Sequence, residues 1–326
     1  MKGRIVILGA VVAMAAAPMQ ASAQCSGQAG DACQKATDLV TFLAPQLAGG
    51  LSGGNHTLGQ GGALGGLGHW ALDVRATGVM GSFPKLDNVG FNPNGNHDAS
   101  TFAATDQFVP GLVADAAIGL WNGYSLGVTH VGAIDALVSA TYLPNVSGGD
   151  VSLNTSGSNL KFGYGVRIGL LEESVVTPGV AFSYLTRSLP TFSVSGNVAA
   201  TSSRPGGTIA LNDFSLKSSG WRLTAGKDLL IFNLNAGIGQ DTYTSDANIV
   251  ATVSGSGINA TSQGSSSFTM TRTNMFVGAS LNVFVAKLAV EAGQVTGGSV
   301  PTMTNSFGSD AAKARTYLSA GLRFGF

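Results

Sequence analysis

The chain has 326 residues, 10% of them charged, zero formal net charge, 44% hydrophobic residues and 47 glycines. An average soluble domain carries about 25% charged residues, so an ordinary charged surface is excluded, and zero net charge excludes the basic footprint of a nucleic-acid binder. Beyond the N-terminal stretch no segment reaches the roughly 18 consecutive apolar residues of a membrane helix, so any membrane crossing falls to strands.

The N-terminal MKGRIVILGAVVAMAAAPMQASAQ carries Lys2 and Arg4, an apolar run from Ile5 to Ala17, and Ala21-Ser22-Ala23. This is the three-part layout of a secretory signal peptide, with cleavage expected after Ala23. The run is too short for a transmembrane helix, which needs roughly 20 residues. Cys25 invites a lipoprotein reading, but Gln24 stands where a small residue would be needed. The chain thus divides into a signal peptide (1–23), a periplasmic N-terminal segment (24–68) and a β domain (69–326).

Cys25 and Cys33 lie close together in CSGQAGDAC. In an oxidising exported compartment they are expected to form a disulfide, since no histidine nearby supports a metal site. QKATDLVTFLAPQLAGGL then reads as a short amphipathic helix, with Ala36, Leu39, Val40, Leu43 and Leu47 at helical spacing and Phe42 off the stripe. Asp31 is the expected N-cap, and Pro45 with Gly49-Gly50 closes the pattern. Gly49 to Gly68 is rich in glycine and reads as a flexible linker. The alternative is a plug threaded into a barrel mouth.

From His69 onward one theme repeats. Trp70, Leu72, Val74 and Ala76 alternate with Asp73, Arg75 and Thr77; Ile134, Ala136 and Val138 with Asp135 and Ser139. Leu160, Phe162, Tyr164, Val166 and Ile168 alternate with Lys161, Arg167 and glycines, and Leu230, Phe232 and Leu234 oppose Asn233 and Asn235. The last segment, YLSAGLRFGF, puts Leu318, Ala320, Leu322, Phe324 and Phe326 on one face. Period two is the strand signal. Short turns at Asn122-Gly123, Glu172-Glu173-Ser174, Lys227-Asp228 and Ala286-Lys287 take turns with long polar stretches at 84–107, 144–158, 188–212, 244–267 and 297–313. That asymmetry belongs to transmembrane barrels, and the spacing predicts an all-β, antiparallel barrel of about ten strands, within a range of about 8–14. An even number places both termini on the short-turn, periplasmic side. Two residues break the scheme: Trp121 shares a parity with Asp115, and Trp221 is out of phase with Phe214 and Leu216, which a bulge near Ser218-Ser219-Gly220 would repair.

On these residues the stretch from His69 to Phe326 resembles a porin-like bacterial outer-membrane β-barrel protein. Leu322-Arg323-Phe324-Gly325-Phe326 resembles the aromatic-terminated last strand of that class. The resemblance implies that Phe324 and Phe326 form the signal read by the barrel assembly machinery, and that outer-membrane lipid covers the apolar face. More faintly, Leu43 to Val79 resembles the opening of a family of outer-membrane proteins with no assigned function.

The inward parity is expected to hold Asp73, Arg75, Asp115, Asp135, Lys161, Arg167, Arg187, Arg222, Arg272, Glu291, Arg315 and Arg323. Two readings stay open. A salt-bridged interior suits a small barrel filled by side chains, whereas inward glycines leave room for a lumen whose arginine excess would favour anions or polar solutes. The functional expectation is a channel or transporter for small solutes, with a non-conducting structural or surface-display barrel as the alternative. No enzyme is expected, because no nucleophile, base and orienting group converge around His56, His69, His97 or His130. His69 is placed inward near Asp73 and Arg75. NPNGNHD, Asn92 to Asp98, has a calcium-loop look but lacks the acidic count, so it reads as turn chemistry. No cofactor, metal or nucleotide fingerprint is present.

Overall fold

Alternating segments leave every strand with unpaired edges until a ring closes, and in lipid only a closed ring satisfies the backbone. In the computed structural model, which describes residues 25–85, 89–143, 145–148, 151–255 and 257–325, ten antiparallel strands make that ring. They are β1 (Trp70–Pro84), β2 (Ala104–Trp121), β3 (Ala133–Tyr142), β4 (Leu160–Leu171) and β5 (Gly179–Ser188). There follow β6 (Gly206–Leu229), β7 (Phe232–Gly255), β8 (Ile258–Val283), β9 (Ala286–Thr296) and β10 (Arg315–Gly325). Each pairs with its neighbours in the chain, and β10 returns to β1 from Ala71↔Gly325 to Val79↔Tyr317. The signal peptide reading and Phe326 lie outside the described residues; Phe324 sits within the closing seam, opposite Leu72 and Ala286.

Burial is inverted relative to a soluble protein. Leu72, Val74, Ile168, Val277, Val290 and Leu322 face outward and are exposed, while Asp73, Arg75, Asp135 and Arg222 face inward and are buried. This is the apolar belt and polar interior of a barrel whose solvent is lipid.

At the long-loop end the inversion ends, and the change is written in β7. Its even positions face out and its odd positions face in along the whole strand. Outward residues run Phe232, Leu234, Ala236, Ile238 and then Gln240, Thr242, Thr244; inward residues run Asn233, Asn235, Asp241 and then Tyr243, Ala247, Ile249. Polarity switches faces with no change of register. The stretches 206–212, 244–255 and 258–267, expected as loop, are therefore strand: β6, β7 and β8 rise beyond the belt as a sheet with an ordinary apolar inner face. The same switch corrects the reading of Trp221. The register of β6 is continuous from Ser215 to Leu229, so no bulge occurs at 218–220; the irregularity falls between Asn212 and Ser215. Phe214 and Leu216 point in above the belt, and Trp221 points out within it, 6.1 Å from the Phe182 ring. Trp121 reaches the outer face through a register shift between Gly119 and Trp121 and meets Tyr124 edge-on. Asn122-Gly123 opens a small hairpin, Tyr124–Leu126 with Thr129–Val131, where a tight turn was expected.

The helix α1 (Gly30–Ser52) stands inside the mouth of this upper sheet. It is longer than expected: Pro45 lies within it, and Ala29, not Asp31, holds the N-cap position. Phe42 is off the amphipathic stripe because the helix has no water-facing side here. It stacks on Phe307 at 4.5 Å, and Phe307 on Phe102 at 4.9 Å. Polar groups tie the helix to the loops. The Asp31 carboxylate accepts the amides of Asn92 (2.7 Å) and Asp98 (3.0 Å), and pairs with Lys35. The Asp38 carboxylate accepts from the amide and side chain of Asn305. Burial pushes the Asp38 carboxyl above its ordinary range, against the lowering effect of Asn305 and Gln34.

Candidate functional site: an occupied lumen

Below α1 the chain continues as an extended segment, residues 53–67, that descends through the barrel and leaves at the short-turn rim. Gly53 to Gly61 are buried. The flexible linker expected from composition is thus a packed strand of backbone running down the lumen. Glycine is needed here for close approach. A Cβ on Gly61 would stand 2.2 Å from the Gly226 amide nitrogen, and one on Gly54, whose φ is +88°, would stand 1.8 Å from Glu291 Oε1. Low side-chain content reads as flexibility in a sequence, but it is also what lets one backbone lie against another.

The wall holds this segment by its main chain. Arg222 Nε donates to Gly54 O at 2.8 Å, Arg75 Nη1 to Asn55 O at 2.7 Å, and Arg187 Nη2 to His56 O at 3.5 Å. Arg323 Nη1 donates to Gly59 O at 3.1 Å, and Thr224 Oγ1 to Gly61 O at 2.7 Å. The carboxylates take the amides: Glu291 that of Asn55, Asp73 that of Leu58 at 3.2 Å, and Asp135 that of Leu64 at 3.1 Å. Side chains add two contacts, His56 Nδ1 to Ser183 Oγ at 2.9 Å and Arg167 Nη1 to Thr57 Oγ1 at 3.4 Å.

Behind these contacts the charges are paired with each other. Asp115 lies between Arg75 (2.7 Å) and Arg187 (2.8 Å), Asp135 against Arg167 (2.8 Å), and Asp241 against Arg222 (2.8 Å). In a low-dielectric wall an unpaired charge would be costly, so the pairs come with the burial. Their order follows the strands: Asp73 sits across from Asp115 and from Arg323, and Asp135 from Arg167, all on inward parity.

The residues singled out in the sequence fall into three groups. Asp73, Arg75, Asp115, Asp135, Arg167, Arg222, Glu291 and Arg323 line the segment, Arg323 only half-buried at the lower rim. Arg272 and Arg315 sit higher: Arg272 donates to Pro45 O and Lys313 O, and Arg315 to Ser309 Oγ. Lys161 shares the inward parity but is exposed at the upper end of β4, so it lines no lumen. Asp241 was missed because the strand was ended before the polarity switch. His69 is exposed and not inward. His97 meets the Cys25 carbonyl at 3.2 Å, and Asn92 to Asp98 forms a turn around Asp31, with Asn94 N donating to Asn92 Oδ1. Among the described residues no cluster of metal-binding side chains occurs.

Cys25 and Cys33 form a disulfide. Cys25 lies at the long-loop end, where Ser26 N donates to Ser262 Oγ, whereas Gly325 pairs with Ala71 at the opposite rim. The two described ends of the chain therefore lie at opposite rims. An even strand count alone would place both at one rim; the described N-terminal segment instead traverses the lumen before β1 begins.

No family model matches the chain, and no curated protein matches it. Among the solved structures to which it is similar are outer-membrane barrels, at low identity. The outer membrane protease OmpT from Escherichia coli is 13% identical with a TM-score of 0.37, over 79% of this chain and 97% of that one. The transport unit of the autotransporter AIDA-I from Escherichia coli is 10% identical with a TM-score of 0.36, over 90% and 98%. The Pseudomonas putida toluene transporter TodX is 11% identical with a TM-score of 0.31, over 79% and 88%. These values carry no activity across. They do correct one expectation: an enzyme was ruled out, yet a protease is among the barrels similar to this chain, so barrel architecture gives no ground for excluding catalysis. The chain folds as a closed antiparallel β-barrel with an apolar outer belt and a buried, charged interior.

Proposed function

We propose that this protein is an outer-membrane barrel kept closed by its own N-terminal segment, acting as a structural or surface-display barrel through its long-loop end. One observation carries the reading: residues 54–64 are bonded to the lumen wall through their main chain by seven charged groups from six different strands. The helix above is fixed in turn by the Asp31 and Asp38 contacts and a shared apolar core. Such a segment supports the long-loop end from beneath while blocking passage. Residues 24–68 and 69–326 act in this account as one folding unit, with the first as strut and seal of the second. Export by a cleaved leader, insertion by the barrel assembly machinery through Phe324 and Phe326, and a periplasmic short-turn end complete the proposal.

A second reading keeps the small-solute channel. It is favoured by a cavity of about 210 Å³ at the short-turn mouth, between Gly59–Leu64, Asn233, Lys287 and Arg323. In that reading the segment yields before solutes pass. Liposome swelling with small sugars and amino acids separates the two. The closed reading predicts no swelling with the intact protein, and swelling at porin-like rates would overturn it.

A further inference from the structure

The short-turn rim carries a feature that the lumen does not explain. Large apolar side chains project from each connection there: Val128, Val175 and Val176, Leu230 and Ile231, and Phe284 and Val285. Leu230 is 97% exposed and Phe284 fully so. Turns in water favour Asn, Asp and Gly. Leu230 and Phe284 moreover hold φ of 57° and 53° at the first position of two-residue turns, where Gly or Asn is at ease. Turn chemistry thus selects against the residues present at both tips.

Charge at this rim is neutralised between neighbouring turns. Lys227 pairs with Glu173 at 3.3 Å and Lys287 with Asp228 at 3.6 Å, and the His130 ring is hydrogen-bonded to Glu172. Lys227 also donates to the carbonyls of Ser174 and Thr177. A water-facing rim has no need of such pairing; one at an apolar boundary does. The β7 side of the belt points the same way, whereas β1 and β4 carry outward apolar residues from Trp70 to Met80 and from Leu160 to Leu170. On β7 the outward apolar face runs only from Phe232 to Ile238 before Gln240. That is about 20 Å of strand and, at barrel tilt, about 15 Å along the membrane normal, against about 25 Å for a full band. Leu230 and Ile231 extend that face downward.

We propose that the short-turn rim is a lipid-binding surface, its tips inserted among the glycerol and upper acyl region of the phospholipid leaflet, where they set the depth of the barrel. The proposal rests on the membrane-spanning reading. Because Cys25 and Cys33 are bonded to each other and no free cysteine is present, Leu230→Cys and Phe284→Cys can each carry a single spin label in phospholipid nanodiscs. Val277→Cys marks the belt, and Thr252→Cys the outer face above it. Collisions with an aqueous nickel chelate should fall well below those at Thr252, and collisions with oxygen should lie between those at Thr252 and those at Val277. Nickel collisions as frequent as at Thr252 would overturn the proposal, as would low collisions with both reagents, which would mean that protein covers the tips. Nickel access at Val277 itself would show that the membrane reading had failed first. Leu230→Asn with Ile231→Gly is an unlabelled check. It improves the turn, so higher thermal stability in nanodiscs would count against lipid contact, and a loss there supports it.

Discussion

Replacing Arg222 with Met removes the cation nearest the start of the sealing segment. The guanidinium is fully buried and donates to Asp241 Oδ2 at 2.8 Å, Gly54 O at 2.8 Å and Trp221 O at 2.9 Å. Breaking a buried ion pair from one side costs about 3–5 kcal/mol, because the remaining charge keeps its desolvation penalty. The orphaned Gly54 carbonyl adds about 1–3 kcal/mol. A loss of about 4 kcal/mol or more is therefore expected, equivalent to a fall in Tm of about 10 °C for a domain of this size. Thermal unfolding in detergent, followed by circular dichroism, measures it. The double replacement Arg222→Met with Asp241→Leu removes both charges and should recover most of the loss, since a buried pair is weakly stabilising relative to apolar residues. A single replacement costing under about 1 kcal/mol would place the pair in the class of solvated ion pairs. The lumen would then be wet, and the account of a sealed interior refuted.

The other expected outcomes concern the seal and its support. Gly61→Val places side-chain atoms where the Gly226 backbone lies, at 2.2 Å and 2.3 Å for the Cβ alone, and should dislodge the segment; swelling of reconstituted liposomes by small sugars reads this out. Reduction of Cys25–Cys33 should weaken docking of the N-terminal end of α1 by about 2.6 kcal/mol from loop entropy, seen as faster amide exchange in residues 26–40 with strand protection unchanged. Phe42→Ala empties the stack with Phe307 and Phe102 and should cost about 3–5 kcal/mol, measured by chemical denaturation.

Much of the barrel was legible because lipid and water impose opposite rules on alternate residues, and Leu72/Asp73 or Leu322/Arg323 show this at single-residue spacing. Above the belt the same strands obey soluble rules, so apolar residues move to the other parity at Tyr243 and Phe268. A single alternating template reads that as loss of pattern, which is why 244–267 looked like loop. The segment 49–68 was misread for a different reason. Its energy lies in backbone groups, which every residue possesses, and its partners are charges far away in sequence. Arg75 and Arg187 were identifiable as inward, but nothing local to GGNHTLGQGG says that their hydrogen bonds end on its carbonyls. The off-stripe Phe42 was a usable signal: a helix with large apolar residues outside its stripe is covered on more than one side.

The central claim is that residues 53–64 close the lumen. Its most direct test is single-channel recording of the refolded chain in a planar bilayer with the disulfide intact. The account predicts a folded, inserted protein that gives no conductance steps, with steps appearing in Gly61→Val. Stable, regular steps from the unaltered protein would contradict it, since in this account the main chain of that segment, held by Arg75, Arg187 and Arg222, fills the lumen.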